Sequence, residues 1–160
     1  KLAERTVETP YKICIIGIQH KKGVQRMTID KVALMEQAKE VLKNAYCPYS
    51  KFPVGAAVLY KDGRVITGAN VENVSFGVTN CAERSAIFYG ASQGYRQGDI
   101  AAIAVAGKTE GFLPPCNICR QVMVEFCGPE TPVFLLNGKG DILELKLEEL
   151  VPYSFTTLNM

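Results

Sequence analysis

The chain has 160 residues, 48% apolar and 21% charged, with a net charge of +2; these values suit one soluble globular domain and exclude a disordered chain. No apolar run approaches the roughly 18 residues that a bilayer span needs. Charge is uneven: residues 1–26 hold six Lys/Arg against two Glu, or +4, so the other 12 basic and 14 acidic residues leave −2. That body is a poor match for a phosphate backbone, so a small neutral substrate fits better than polymeric nucleic acid.

Residues 1–27 read as an N-terminal extension containing a strand-like stretch over 11–18. No small-residue signal cleavage site is present in them. Met27 suits a natural start, with 1–26 an appended, non-native segment; the alternative is a natural extension that adds an edge strand. A helix is expected over 28–46, capped by Thr28, with Leu34, Ala38, Val41 and Ala45 on one face. Cys47-Pro48 ends it. Strands over 53–60 and 65–69 flank the turn Lys61-Asp62-Gly63-Arg64 as a hairpin. A helix follows over 81–91, then a buried strand over 100–106, then a helix over 116–126. Strands over 132–136 and 142–147 enclose Asn137-Gly138-Lys139-Gly140, and a helical turn at 148–150 closes the pattern. The order α-β-β-α-β-α-β-β predicts an α/β single domain, 28–160, with one mixed sheet packed by helices.

Six cysteines stand at 14, 47, 81, 116, 119 and 127. Without a secretory signal, cytosolic thiols, some of them bound to metal, are the better reading than three disulfides. Pro115-Cys116-Asn117-Ile118-Cys119 opens a helix, and residues three apart on a helix can reach one ion. The helix N-terminus favours thiolate over thiol. Asn80-Cys81-Ala82-Glu83-Arg84 places a third cysteine at another helix start. Three thiolates leave one tetrahedral position of Zn²⁺ open, as in catalytic sites, and Glu83 is placed to act on a water there. A closed structural site would need Cys14, Cys47, Cys127 or His20 as fourth ligand. Cys127 lies more than ~10 Å along the helix from Cys119, and none forms a second C-x-x-C. Cys14, Cys47 and Cys127 read as buried small hydrophobes, and His20 as an exposed tail residue. Three thiolates on Zn²⁺ sum to −1, which opposes lowering the pKa of bound water. A cation should offset this, and Arg84 is the favoured candidate; Arg120 is an open choice between the metal site and the surface.

With these motifs the chain resembles the cytidine deaminase family, in its small, homotetrameric, three-cysteine branch. The likeness covers about 28–155. It rests on 46–57 (YCPYSKFPVGAA), Asn70-Val71-Glu72-Asn73, Cys81-Ala82-Glu83-Arg84, Pro115-Cys116-Asn117-Ile118-Cys119-Arg120-Gln121 and Pro152-Tyr153-Ser154-Phe155. The resemblance implies a five-stranded sheet sandwiched by helices, one Zn²⁺ per subunit, a cytoplasmic location and no membrane. It implies hydrolytic deamination of cytidine and deoxycytidine: metal-activated hydroxide attacks C4 while Glu83 carries protons to N3 and to the departing ammonia. Phe52 would line the base pocket, and Asn70 and Glu72 would bind the ribose. The N–H groups of Ala82 and Cys116 would fix the base carbonyl and the metal-held oxygen. Arg84 would hydrogen-bond ligand sulfurs, and Phe155 would reach a neighbouring subunit's site. Singly, Phe52 reads as core, and Asn70 and Glu72 as turn and surface.

Three positions depart from the family pattern. Asn117 stands where glycine is frequent, Phe76 where tyrosine is common, and Thr156-Thr157 where Gly-Pro is frequent. If position 117 needs positive φ, asparagine is the next most tolerant residue. Rival readings are a deaminase of a modified or antibiotic aminonucleoside, a polynucleotide-editing deaminase, and a non-catalytic zinc-binding module.

Overall fold

A computed structural model describes residues 28–157. The expectations for 1–27, including the strand over 11–18, Cys14, His20 and the start at Met27, lie outside the described residues. Helix α1 spans Lys31–Glu40 and tightens into a 3-10 turn at Val41–Asn44. Strands β1 (Val54–Tyr60) and β2 (Val65–Ala69) form the hairpin. Then come α2 (Ala82–Ser92), β3 (Ile100–Gly107), α3 (Asn117–Phe126), β4 (Pro132–Leu136), β5 (Ile142–Lys146) and the short α4 (Leu147–Leu150).

The expected order of helices and strands is present, with two differences at the first helix. Its cap is Asp30, whose carboxylate accepts from the N–H groups of Val32 and Ala33, and not Thr28. A carboxylate two or three residues before those donors satisfies orphan N–H groups that Thr28 is too far back to reach. The regular α-helix also stops at Glu40, six residues short of the expected end.

The five strands form one sheet in the order β2-β1-β3-β4-β5. Only β3 and β4 pair in parallel, so the sheet is mixed. Alternation along the strands sends one set of side chains to each face. Val58, Tyr60, Ile103, Val105, Val133 and Leu135 pack with Ala86 and Ile87 of α2 and Met123 of α3. Ala57, Leu59, Ala102, Ala104, Ala106 and Phe134 pack with Leu34, Met35 and Ala38 of α1. The result is an α/β/α sandwich in which β1 is buried on both faces, in keeping with its continuous apolar sequence VGAAVLY.

Two glycines set how closely the helices approach. A Cβ on Gly55 would strike the Ala38 carbonyl of α1. A Cβ on Gly68 would strike the Ala82 carbonyl and the Ala86 N–H of α2. The start of α2 therefore lies directly on the β2 backbone. Positive φ at Gly63 and Gly140 closes the two hairpin turns.

Candidate active site

Cys81 and Cys116 are the N-caps of α2 and α3, each with extended backbone and neither capping through its side chain. Both sulfurs are thus left free to face a common point, and Cys119 joins them from the first turn of α3. The three Sγ atoms lie within 4.8 Å of one another. Cys81 and Cys116 Sγ are 3.9 Å apart, close to the ~3.8 Å between sulfurs on a tetrahedral ion with Zn–S of about 2.3 Å. The donor set fits zinc, and this is the one such group among the described residues. Exposure rises from buried Cys119 through Cys81 to exposed Cys116, so the cluster opens to solvent on the Cys116 side.

Electrostatics favour an anionic sulfur at Cys81, while the hydrogen bond with Cys81, then burial, push the Cys119 thiol up. Hydrogen bonding from the Cys119 thiol, then the Arg84 guanidinium, holds Cys81 well below the ordinary thiol range against the effect of burial. Arg84 Nη2 lies 3.3 Å from Cys81 Sγ and 3.0 Å from the Thr79 carbonyl. Two helix N-termini add their positive ends. The compensating charge demanded by three thiolates is therefore Arg84 plus two dipoles. Arg120 supplies none of it by direct contact: its Nε and Nη1 each donate at 2.8 Å, to the Pro115 and Leu150 carbonyls.

Glu83 sits in the first turn of α2 and is only 3% exposed. Burial raises its carboxyl from the ordinary range to about 7; its own backbone N–H pulls it down, and negative charge on Cys81 pushes it up again. Ala82 is fully buried beside it, and its N–H belongs to a first turn that lacks intrahelical partners.

Asn70 and Glu72 lie on the extension of β2, where Val71 bridges to both Tyr46 and Asn80. That ties the loop 46–53 to the residue just before Cys81. The Asn70 side chain accepts from Val54 N–H at 2.8 Å and donates to the Phe52 carbonyl at 2.9 Å. Glu72 Oε2 accepts from the N–H groups of Tyr49 (2.9 Å) and Ser50 (3.2 Å). Burial alone would raise the Glu72 carboxyl, but these bonds, with one from the Ser50 hydroxyl, hold it low. Both side chains thus brace the loop that presents Phe52, which is 38% exposed. No side-chain pattern marks this bracing, because its partners are backbone atoms some 20 positions away. An amide and a carboxylate still retain free donor or acceptor positions for a ligand.

Phe155 is 63% exposed, and its carbonyl accepts from Gln121 Nε2 of α3 at 2.9 Å. Asn117 is the first residue of α3 with ordinary helical backbone; among described non-glycine residues positive φ falls instead on Lys51 and Tyr153. No glycine is needed between the ligands. Cys127 is buried, as expected, whereas Cys47 is only half-buried.

The model of the cytidine and deoxycytidylate deaminase zinc-binding region matches residues 28–135. The chain belongs to the cytidine deaminase family. A cytidine deaminase of Halalkalibacterium halodurans is 51% identical over 132 residues, 82% of this chain and 98% of that protein. One from Sporosarcina psychrophila is 47% identical over 128 residues, 80% and 93% of the two chains. The crystal structure of a cytidine deaminase from Burkholderia pseudomallei superposes with a TM-score of 0.77 at 48% identity, covering 79% of this chain and all of that one. The chain is thus a zinc-dependent deaminase with a three-cysteine group for one ion.

Proposed function

We propose that this cytidine deaminase family member hydrolyses cytidine and deoxycytidine to uridine and deoxyuridine plus ammonia, with residues 28–160 as its catalytic domain. The observation that carries this reading is a 3%-exposed carboxylate, Glu83, next to an open three-cysteine cluster. Cys81, Cys116 and Cys119 would hold the zinc, which supplies Lewis-acid activation of water near neutral pH. Glu83, with its carboxyl raised to about 7, is poised both to accept and to give a proton there. It takes one proton from the attacking water and places it on N3 of cytosine, then takes the second from the oxygen now bonded to C4 and passes it to the amine, which leaves as ammonia. The N–H groups of Ala82, in the first turn of α2, and of Cys116, the cap of α3, orient the base carbonyl and the attacking oxygen. Phe52 lines the ring, and the free positions on Asn70 and Glu72 take the ribose hydroxyls, which favours a nucleoside over a free base. Arg84 holds the Cys81 sulfur and offsets the −1 charge of the loaded cluster.

Phe155 completes the site of a neighbouring subunit in a homotetramer. Its exposed ring, and the exposed apolar surface of Tyr49, Val74, Phe76 and Val78, support an assembly between copies. The thiols, all free among the described residues, suit a reducing cytoplasm. Among the described residues no helix is long and apolar enough to cross a membrane. Absorbance loss on converting cytidine to uridine, with and without a chelator, tests the reading. Turnover that the chelator abolishes is expected; no turnover of cytidine or deoxycytidine by zinc-loaded protein would overturn it.

A further inference from the structure

The two residues that follow the last ligand, Arg120 and Gln121, have their side chains tied to the backbone at both ends of one segment. Arg120 reaches the Leu150 carbonyl, where α4 ends and the tail begins. Gln121 reaches the Phe155 carbonyl five residues later. Arg120 also holds the Pro115 carbonyl, immediately before Cys116. Between these points Val151 still packs on the core, but Pro152 and Tyr153 are exposed, and Tyr153 adopts φ of 56°. Left to itself such a segment would sample many conformations at an entropic cost paid on binding.

We propose that Arg120 and Gln121 are positioning residues that fasten the tail to the start of α3, so that Phe155 is held at a fixed place on its own subunit for entry into the neighbouring subunit's site. The proposal rests on the reading that Phe155 lines a nucleoside site. Gln121 acts on the tail alone. Arg120 acts on both the tail and the turn that carries Cys116, because its planar fork bridges two carbonyls that a lysine could not hold together.

The test is a double-mutant cycle on the intact zinc-loaded enzyme. Gln121 is exposed and helical, so Gln121→Ala should fold. Its KM should rise about two- to tenfold, the worth of one neutral hydrogen bond, with a smaller change in kcat and an unchanged zinc content. In a Phe155→Ala background the same substitution should cost nothing further in KM, because the group it positions is gone. Arg120→Lys, chosen because Arg120→Ala could fail to fold, should raise KM and also speed zinc loss to a chelator. Wild-type KM in Gln121→Ala, or additive effects in the cycle, overturns the proposal while leaving Phe155 in the site. Wild-type KM in Phe155→Ala overturns both the proposal and the reading beneath it.

Discussion

Helices α2 and α3 begin alike and do different work. Each starts at a cysteine in extended conformation, and each carries an arginine within its first four residues. Yet Arg84 turns to a ligand sulfur, while Arg120 turns to two backbone carbonyls. The residue after the first helical position is Glu83 in α2, 3% exposed, and Ile118 in α3, 63% exposed. Depth explains the contrast. The first turn of α2 is pressed onto the β2 backbone at Gly68, so a charge there must meet another charge or change its protonation. The first turn of α3 is open at Asn117 and Ile118 although Cys119 is buried, and the partly exposed Arg120 is free to hold neighbouring chain segments. Acid–base chemistry belongs on the buried start and mechanical support on the exposed one.

The sharpest way to break this division is to remove the proton carrier and leave everything else. Glu83→Gln should keep fold and zinc yet lose turnover by about 10²–10⁴-fold, the usual contribution of a positioned acid/base. Steady-state kinetics beside a zinc assay would show it, and near-wild-type turnover would deny α2 its assigned chemistry. The two arginines come next. Arg84→Ala removes a cation beside an anionic cluster and should weaken zinc retention about 10- to 100-fold in competition with a chelator. Arg120→Lys should weaken it less. Equal losses would mean that the contrast between the two starts is only geometric.

Much of this was legible in the sequence, and the exceptions have physical reasons. The strands, the helices and their order followed from periodicity and turn residues, because hydrophobic spacing reports directly on which face is buried. The cluster Cys81, Cys116 and Cys119 was legible because ligands at helix starts have characteristic spacings. The work of Arg120 was not: its partners, the carbonyls of Pro115 and Leu150, carry no side-chain signature. The same holds for Asn70 and Glu72, whose bracing of the loop 49–54 is written in backbone atoms. The cap at Asp30 in place of Thr28 shows a smaller version of the problem, since both residue types cap well and only geometry chooses.

The close seating of α2 can be tested without touching a functional side chain. Gly68→Ala puts a methyl group against the Ala82 carbonyl and the Ala86 N–H. The backbone cannot give way as a side chain would, so overpacking should cost about 1–3 kcal/mol in denaturant unfolding. It should also lift Glu83 toward water and lower kcat. Loss of stability with an unchanged kcat would show that the depth of the α2 start is not what prepares Glu83.

The smallest effect concerns the two ends of α3. The thiols near its start lie by positive helix ends and Arg84, whereas Cys127, its C-cap, is buried with no such partner. Burial pushes the Cys127 thiol up to about 12. Burial, then the neighbouring Tyr95, does the same to the Tyr60 hydroxyl, also to about 12. Both groups stay protonated in the folded chain at pH values where the unfolded chain has begun to lose those protons. Their contribution is therefore whole below the ordinary thiol value of about 9 and is lost as pH climbs toward about 12. Thermal unfolding should show stability falling from about pH 9 towards about pH 12, and Cys127→Ala should fall less steeply. The same decline in both proteins would mean that the thiol at the far end of α3 titrates alike folded and unfolded, and the difference between the two ends of the helix would then be one of position alone.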